Sequence, residues 1–166
     1  MDRFEQIKKK LNEKGLEYNP PLSLEEVEKF EKKNGFTLPD EYRNFLLKVG
    51  NGGEMIDGFD LWQLEGLEID RETINVKFPL TDCWVWEDED ADEEEIRKVS
   101  NGNFELIEVE GEGATWNLIV TGECAGEMWF FTSFGVQPTV PRRGFLDWFE
   151  FWLDGNGGED YFFDQD

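Results

Sequence analysis

The chain of 166 residues contains no histidine, so it lacks the commonest general base and the usual zinc ligand. Serine and cysteine therefore also lack the base that completes a conventional nucleophilic pair. The GxSxG nucleophile elbow, the P-loop and the GxGxxG nucleotide motif are missing as well. A pair of carboxylates is the one catalytic alternative, but among 39 acidic residues such pairs arise by chance. We therefore expect a protein that is not an enzyme and that uses no cofactor and no metal.

Basic residues are scarce, with 16 Lys and Arg against 39 Asp and Glu and a formal net charge of −23. Nucleic-acid phosphates and anionic lipids are bound by cationic surfaces, so neither a nucleic acid nor a membrane is an expected partner. Apolar runs are short, as in Met128–Phe131, whereas a membrane-spanning helix needs ~20 apolar residues. Because the N-terminal residues contain no apolar signal core, we expect a cytoplasmic protein.

Aromatic residues are plentiful, with seven tryptophans and fifteen phenylalanines. A chain of this length with 39% apolar residues can bury a core of its own, and we expect one domain over residues 1–166. Its two cysteines, Cys83 and Cys124, lie far apart and form no CxxC motif. A disulfide between them is an open alternative, but two reduced thiols are the preferred interpretation for a cytosolic protein.

The negative charge is unevenly distributed along the chain. Residues 1–54 carry ten Lys and Arg against eleven Asp and Glu, whereas residues 55–166 carry six against twenty-eight. An acidic coat that served only solvation would cover the whole chain, so this asymmetry favours a surface for a cationic partner. The alternative interpretation is an acidic protein that is merely soluble.

The highest density of charge lies in an acidic loop at residues 87–95, which holds eight acids in nine positions. Such a block repels itself and predicts an exposed loop or the start of a helix. Its aspartates at 88, 90 and 92 match the first three ligands of an EF-hand loop. Glu93 then replaces the turn glycine and Val99 replaces the bidentate glutamate, so no calcium site is predicted.

An acidic tail at residues 154–166 carries five acids and no base. Its Tyr161-Phe162-Phe163 motif is expected to dock either on the core or on a partner. The acidic loop, the tail and nearby tryptophans form the predicted partner-binding surface, with core packing as the alternative role of each tryptophan. Its residues are Trp84, Trp86, Glu87, Asp88, Glu89, Asp90, Asp92, Glu93, Glu94, Glu95, Asp154, Glu159 and Asp160, with Trp62 as a further candidate contact.

Helical signals dominate the N-terminal third. The first predicted helix has an apolar stripe at Phe4, Ile7 and Leu11. The second begins with a capping box, in which Ser23 is the N-cap and Glu26 the third helical residue. Predicted helices run from Phe4 towards Gly15, from Ser23 to Gly35, and from Pro39 to Gly50.

Strand signals follow, with a period nearer to two residues. Candidate strands are Phe59–Trp62, Ile74–Phe78, Cys83–Trp86, Phe104–Val109, Thr115–Thr121 and Met128–Ser133, the last two in a hairpin. Pro138 and Pro141 are expected to break the chain before a last amphipathic helix over Gly144–Leu153. We therefore predict an α+β fold, in which N-terminal helices and one C-terminal helix pack on a mostly antiparallel sheet of about six strands.

Three motifs follow one another along the chain. The first is LSLEEVEKFE at residues 22–31, followed by GFTLPDEY at residues 35–42. The second is GATWNLIVTGE at residues 113–123, followed by GEMW, and the third is FLDWFEFWL at residues 145–153. In their order and spacing these motifs resemble the SUKH superfamily of yeast cell-wall-assembly regulators and bacterial immunity proteins, and Glu112 departs from the cysteine expected there in many bacterial members. The resemblance implies a single domain with a sheet of about six strands against several helices.

The resemblance also implies a function, because many bacterial members neutralise a toxin of their own lineage, often a nuclease. A nuclease must attract phosphate, so an acidic inhibitor suits its cationic cleft. We therefore expect a bacterial immunity protein that binds a cognate basic toxin by electrostatically steered occlusion. A non-catalytic regulatory scaffold and a nucleic-acid-mimicking inhibitor are the alternatives, and the oligomeric state is left open.

Overall fold

The structure, a computed structural model, describes residues 1–85, 93–109 and 113–163. Its helices are α1 (Arg3–Glu13), α2 (Leu24–Asn34), α3 (Asp40–Lys48), α4 (Glu93–Lys98) and α5 (Phe145–Leu153). The three predicted N-terminal helices and the predicted C-terminal helix are confirmed. Pro39 is the N-cap of α3, so that helix begins one residue later than predicted.

Local signals set both ends of α2. Ser23 Oγ accepts the N–H of Glu26 at 3.1 Å, and the Glu26 carboxylate accepts the N–H of Ser23 at 3.2 Å, which completes the predicted capping box. Gly35 ends the helix in the left-handed conformation with φ 73°, where a side chain would be strained. Phe36 then packs back against Phe30, with ring centroids 6.2 Å apart. The caps thus fix the direction in which the chain enters α3.

The strands form two antiparallel sheets within the described residues. They are β1 (Gly53–Glu54), β2 (Asp60–Leu61), β3 (Trp84–Val85), β4 (Asn103–Val109), β5 (Ala114–Ile119), β6 (Met128–Thr132) and β7 (Gly135–Pro138). β1 and β2 form a two-stranded ribbon, and the other five form a sheet in the order β3-β7-β6-β5-β4. The predicted α+β class is confirmed, with the strands divided between a five-stranded sheet and the ribbon.

Both faces of the five-stranded sheet are buried. Met128 belongs to the larger core on one face, and its neighbour Trp129 belongs to a smaller cluster on the other face, because successive strand residues point in opposite directions. α3 and α5 cover the first face with aromatic rings, such as Phe45 against Phe145 at 5.1 Å between centroids. The segment before β3 covers the second face and contributes Phe78, which is 1% exposed.

A bulge joins the ribbon to the edge of the sheet. The register of β4 against β5 shifts between Glu105 and Ile107, and such a bulge leaves a residue outside the regular ladder. The carbonyl of the intervening Leu106 accepts the N–H of Trp62, which follows β2, at 3.1 Å. Trp62 is half-buried and packs against the larger core. This candidate contact residue therefore helps to attach the ribbon to the sheet.

The predicted strand at Ile74–Phe78 is wrong. Ile74 donates its N–H to a carbonyl four residues earlier, and Val76 donates to one three residues earlier, which are bonds of turns. Ile74 and Phe78 enter the two different cores, whereas Val76 between them is 46% exposed. The apolar alternation therefore reflects contacts made by a turning chain, because no strand within the described residues is paired with this segment.

The strand β7 was not predicted, because Pro138 indicated a break in the chain. The structure places Pro138 at the last position of the strand. β3 pairs only with Gly135 and Val136 of β7, so Pro138 lies beyond that pairing. Prolines are tolerated where a strand lacks a neighbour on one side.

Candidate partner-binding surface

The short strand β3 lies against the sheet through a close backbone approach. It pairs with β7 at Trp84–Val136 and Val85–Gly135. A Cβ at position 135 would lie 2.5 Å from the carbonyl oxygen of Trp84 and 2.9 Å from the Cα of Val85. Only glycine leaves the space that β3 occupies, so Gly135 determines where the predicted site residue Trp84 is placed.

Arg142 holds the segment that leads into β3. Its guanidinium donates to the carbonyl of Thr81, to the carboxylate of Glu127 at 3.0 Å and to the sulfur of Cys124 at 3.3 Å. Burial raises the pKa of the Cys124 thiol, as does the charge of Glu127, while Arg142 opposes the rise. Cys124 is therefore a buried packing residue, whereas Cys83 is exposed, and both cysteines are free.

A groove of about 310 Å³ lies between β3 and α4, and we call it the β3–α4 groove. Its lining includes Trp84 and Glu95, so the structure brings two of the predicted site residues together. Lys98 and Val99, at the end of α4, also line it. Trp84 is half-buried and packs against the smaller cluster, so it is part of the core as well as of the groove wall.

The acidic first turn of α4 stands beside this groove. Glu93, Glu94 and Glu95 form that turn, and all three are exposed. Negative charge at a helix N-terminus is favoured by the helix dipole, which stabilises the start of α4 here. Across the three described ranges, no lysine or arginine forms a salt bridge with Glu93 or Glu95. Those two charges are available to a partner.

Six of the predicted site residues fall outside the described residues. They are Trp86, Glu87, Asp88, Glu89, Asp90 and Asp92. The described chain ends before them at Val85 and resumes at Glu93, and both of these ends are exposed. The role of the six in partner binding stays a prediction from the sequence.

Two acids of the tail are engaged within the molecule. The carboxylate of Asp154 accepts a hydrogen bond from Lys10 Nζ at 2.8 Å, and the carboxylate of Asp160 accepts the N–H of Gly157 at 3.0 Å. Glu159 is exposed. None of the three lines the β3–α4 groove, so the structure does not bring the tail acids together with those of α4.

Two of the three aromatic residues of the tail dock on the core, which is the first of the two predicted alternatives, whereas Phe163 is 61% exposed. Tyr161 is 1% exposed, and its hydroxyl donates to the carbonyl of Trp148 at 3.0 Å. Phe162 stacks on Trp116 with ring centroids 5.8 Å apart and an interplanar angle of 4°. The tail up to Phe162 is therefore a packed element of the fold.

Two exposed apolar side chains near β3 were not predicted. Val85 is 63% exposed and Phe134 is 75% exposed, and both line a shallow depression of about 200 Å³. We call them the apolar pair. Phe134 lies in the two-residue turn between β6 and β7. The sequence signal for the exposure of Phe134 is an aromatic residue that precedes a glycine in a turn. This turn can be recognised only when β7 is known to be a strand.

The surface offers non-covalent contacts. Among the described residues, no three cysteine, aspartate or glutamate side chains are grouped so that they could hold a metal ion. None of the helices in the same ranges has the length and apolar character that crossing a bilayer demands. A groove, an apolar pair and exposed carboxylates are the ordinary components of a protein interface.

The sequence of most of the chain matches a known protein family. The model of the SMI1/KNR4 family (SUKH-1) matches residues 21–141, from the start of α2 to beyond β7. The chain belongs to the SMI1/KNR4 family. The resemblance found in the sequence is thereby confirmed. Membership of the SMI1/KNR4 family supports a role in immunity or regulation, and its immunity proteins are generally non-catalytic.

A relative of known sequence matches a smaller part of the chain. Over 50 residues the chain is 42% identical to a Bacillus subtilis (strain 168) protein named "Uncharacterized protein YnaB". The match covers 30% of this chain and 34% of that relative, so the chain spans about a third of the relative's length. No solved structure matches the chain.

Proposed function

We propose that this SMI1/KNR4 family member is a bacterial immunity protein that binds and neutralises a cognate toxin domain. The toxin is basic and of the nuclease type, and the chain acts in the cytoplasm by occluding it, without catalysis or a cofactor. The observation that carries the proposal is the pair of exposed carboxylates, Glu93 and Glu95, which stand at the start of α4 beside the β3–α4 groove and form no salt bridge within the described chain.

The basic residues of α1 support this view because they neutralise a different acidic surface. Arg3 donates to the carboxylates of Asp147 and Glu150, and Lys10 donates to Asp154. The acids of α5 are therefore compensated within the fold. An external cation gains more beside Glu93 and Glu95, which form no salt bridge within the described chain.

The net charge of the chain also favours a nuclease as the partner. A nuclease needs a cationic cleft for phosphate, and a protein of net charge −23 is attracted to it over long distances. Complementary fields can raise association rate constants to ~10⁸–10⁹ M⁻¹s⁻¹ at low salt. Fast capture suits an inhibitor whose target is harmful as long as it is free.

Purification of the tagged full chain from the bacterium that encodes it, followed by mass spectrometry, tests the proposal. We expect a basic partner with a pI above ~9, and a complex that weakens steeply as the salt concentration rises. Added chain should also inhibit the nuclease activity of that partner at equimolar amounts. Recovery of no partner, or binding of a neutral partner that is indifferent to salt, would contradict the proposal.

A charge variant with a matched control sharpens this test. The variant replaces Glu93, Glu94 and Glu95 by Gln, and the control replaces Glu17, Glu25 and Glu28, which are also exposed, by Gln. Both change the net charge equally, but only the first removes charge beside the β3–α4 groove. We expect the association rate constant to fall roughly tenfold more in the first than in the control. Equal effects would show that total charge, and not this surface, attracts the partner.

A regulatory scaffold is the second candidate, because family membership supports immunity and regulation alike. A scaffold is indicated if the recovered partner has no toxic activity and is bound equally well at low and high salt. A nucleic-acid mimic is the third candidate, and it is indicated if the recovered partner is a DNA-binding protein without nuclease activity and a DNA duplex competes with the chain for it.

A further inference from the structure

Neither residue of the apolar pair belongs to the two cores found among the described residues. Val85 and Phe134 remain 63% and 75% exposed while they line one depression at the β3 end of the sheet. Leaving large apolar side chains in water is unfavourable, and neighbouring ones suit a contact with another molecule. The position of these two residues therefore suggests a contact surface.

The backbone around Phe134 is pre-formed. The Phe134 N–H donates to Thr132 Oγ1 at 3.1 Å, and the same hydroxyl donates to the carbonyl of Gly135 at 3.2 Å. These bonds fix the turn that presents the ring. Gly135 in turn permits the close approach of β3, which places Val85 beside the ring. A surface that is ordered before binding loses little conformational entropy when a partner binds.

The charges around the apolar pair select the kind of partner. Asp82 is exposed, and its carboxylate accepts the N–H of Cys83, which lines the same depression. A second copy of this chain would bring carboxylates against carboxylates, and residues 55–166 have only six basic residues to offset them. A cationic partner meets no such repulsion.

We propose that Val85 and Phe134 form the apolar anchor of the partner-binding surface. They receive an aliphatic or aromatic side chain of a polypeptide, and lysines or arginines flank that side chain and face Asp82. The inference rests on the proposed function for the basic character of the partner. It also assigns the central apolar contact to Phe134, whereas Trp84 is largely a core residue.

The test is a ¹H–¹⁵N NMR titration of the full chain with two synthetic peptides. One peptide alternates lysine with leucine, and the other alternates lysine with serine at the same length and charge. We expect the leucine peptide to shift amide signals of residues 82–85 and 132–137, and the serine peptide to leave the signals of 132–137 in place. Equal shifts with both peptides, or shifts confined to residues elsewhere, would overturn the proposal.

Two variants extend this titration. Phe134→Ala removes the exposed ring and should weaken binding of the leucine peptide about tenfold, because most of the apolar contact is lost. The control, Leu24→Ala, removes a side chain that is 51% exposed at the start of α2 and should leave binding unchanged. Equal affinities of the two variants would contradict the proposal.

Self-association is a separate outcome. Amide shifts at 132–137 that grow with protein concentration in the absence of peptide would show that a second copy occupies the surface, and this would overturn the proposal. Because the peptide titration needs no natural partner, its failure is distinguishable from failure of the proposed function, which depends on the charge and activity of the co-purified protein.

Discussion

Glu41 and Leu146 are 105 residues apart in the chain, and yet the Glu41 carboxylate accepts the backbone N–H of Leu146 at 3.0 Å. Glu41 lies in the first turn of α3, and Leu146 lies in the first turn of α5. The N-cap of α5 is Gly144, which has no side chain that could accept this hydrogen bond. One helix of the larger core therefore caps another, and the bond fixes their relative positions.

Replacing Glu41 by Ala should lower the free energy of unfolding by about 1 kcal/mol, which is the usual effect of losing an N-terminal cap. Urea denaturation monitored by circular dichroism measures the change. Asp40→Ala is the control, because Asp40 is an acid in the same first turn of α3, is exposed, and makes no hydrogen bond to α5 among the described residues. If both variants lose the same stability, the effect belongs to α3 alone and the capping of α5 contributes nothing.

Gly135→Ala should detach β3 from the sheet. The new Cβ would overlap the backbone of Trp84 and Val85, and overpacking of this kind typically costs about 1–3 kcal/mol of stability. Hydrogen exchange should become faster at the amides of β3 before it changes in β5. Gly66→Ala is the control, since a Cβ at Gly66 meets no atom within 4 Å. Unchanged exchange in β3 would show that the strand tolerates the added methyl group.

Tyr161→Ala should destabilise the protein by about 3–5 kcal/mol, as expected for truncation of a buried aromatic residue. The side chain is 1% exposed and its hydroxyl bonds the carbonyl of Trp148. Phe163→Ala changes a tail residue that is 61% exposed, and its effect should stay within about 0.5 kcal/mol. Thermal unfolding compares the two. If both variants lost equally little stability, the tail would be dispensable for the fold.

Glu105→Gln should stabilise the protein at neutral pH. Burial raises the pKa of the Glu105 carboxyl, and the charges of Glu108 and Glu68 act in the same direction. The folded state therefore holds the proton more tightly than the unfolded state, so stability falls as pH rises through the window above 4.5. Glutamine carries no charge, so the variant does not lose this stability as the pH rises.

The gain from Glu105→Gln should be only about a few tenths of a kcal/mol, since Glu105 is exposed and water screens its charge. Melting temperatures measured across the pH range check it. The gain should disappear below pH 4.5, where the carboxyl is protonated in both states, and it should shrink in high salt. A gain that is constant with pH would assign the effect to packing instead of charge.

The helices were predictable because their signals are local. Ser23 and Glu26 bond each other's backbone three residues apart, and Gly35 ends α2 by its own conformation. The strands were less predictable because a strand depends on neighbours that are distant in sequence. Ile74–Phe78 has the alternation of a strand but lies in turns, and β7 became visible only through its pairing with β3 and β6.

The candidate surface was predictable in charge but not in shape. The acids Glu93 to Glu95 were predicted to lie in an exposed loop or at the start of a helix, and the structure shows the helix start. Trp84 and Glu95 line one groove. The engagement of Asp154 by Lys10 could not be foreseen, because it depends on how α1 packs against α5. Phe134 was missed for a similar reason, since its exposure follows from a tertiary pairing.

The bulge at Leu106 affects how the outer edge of the sheet can pair with other molecules. A regular outer strand offers unused backbone groups, and these can act as a template for β-aggregation with other molecules. Here the Leu106 carbonyl is already occupied by the N–H of Trp62, and the shifted register interrupts the regular spacing of the remaining groups. The outer edge of β4 is therefore a poor template for pairing with a strand of another molecule.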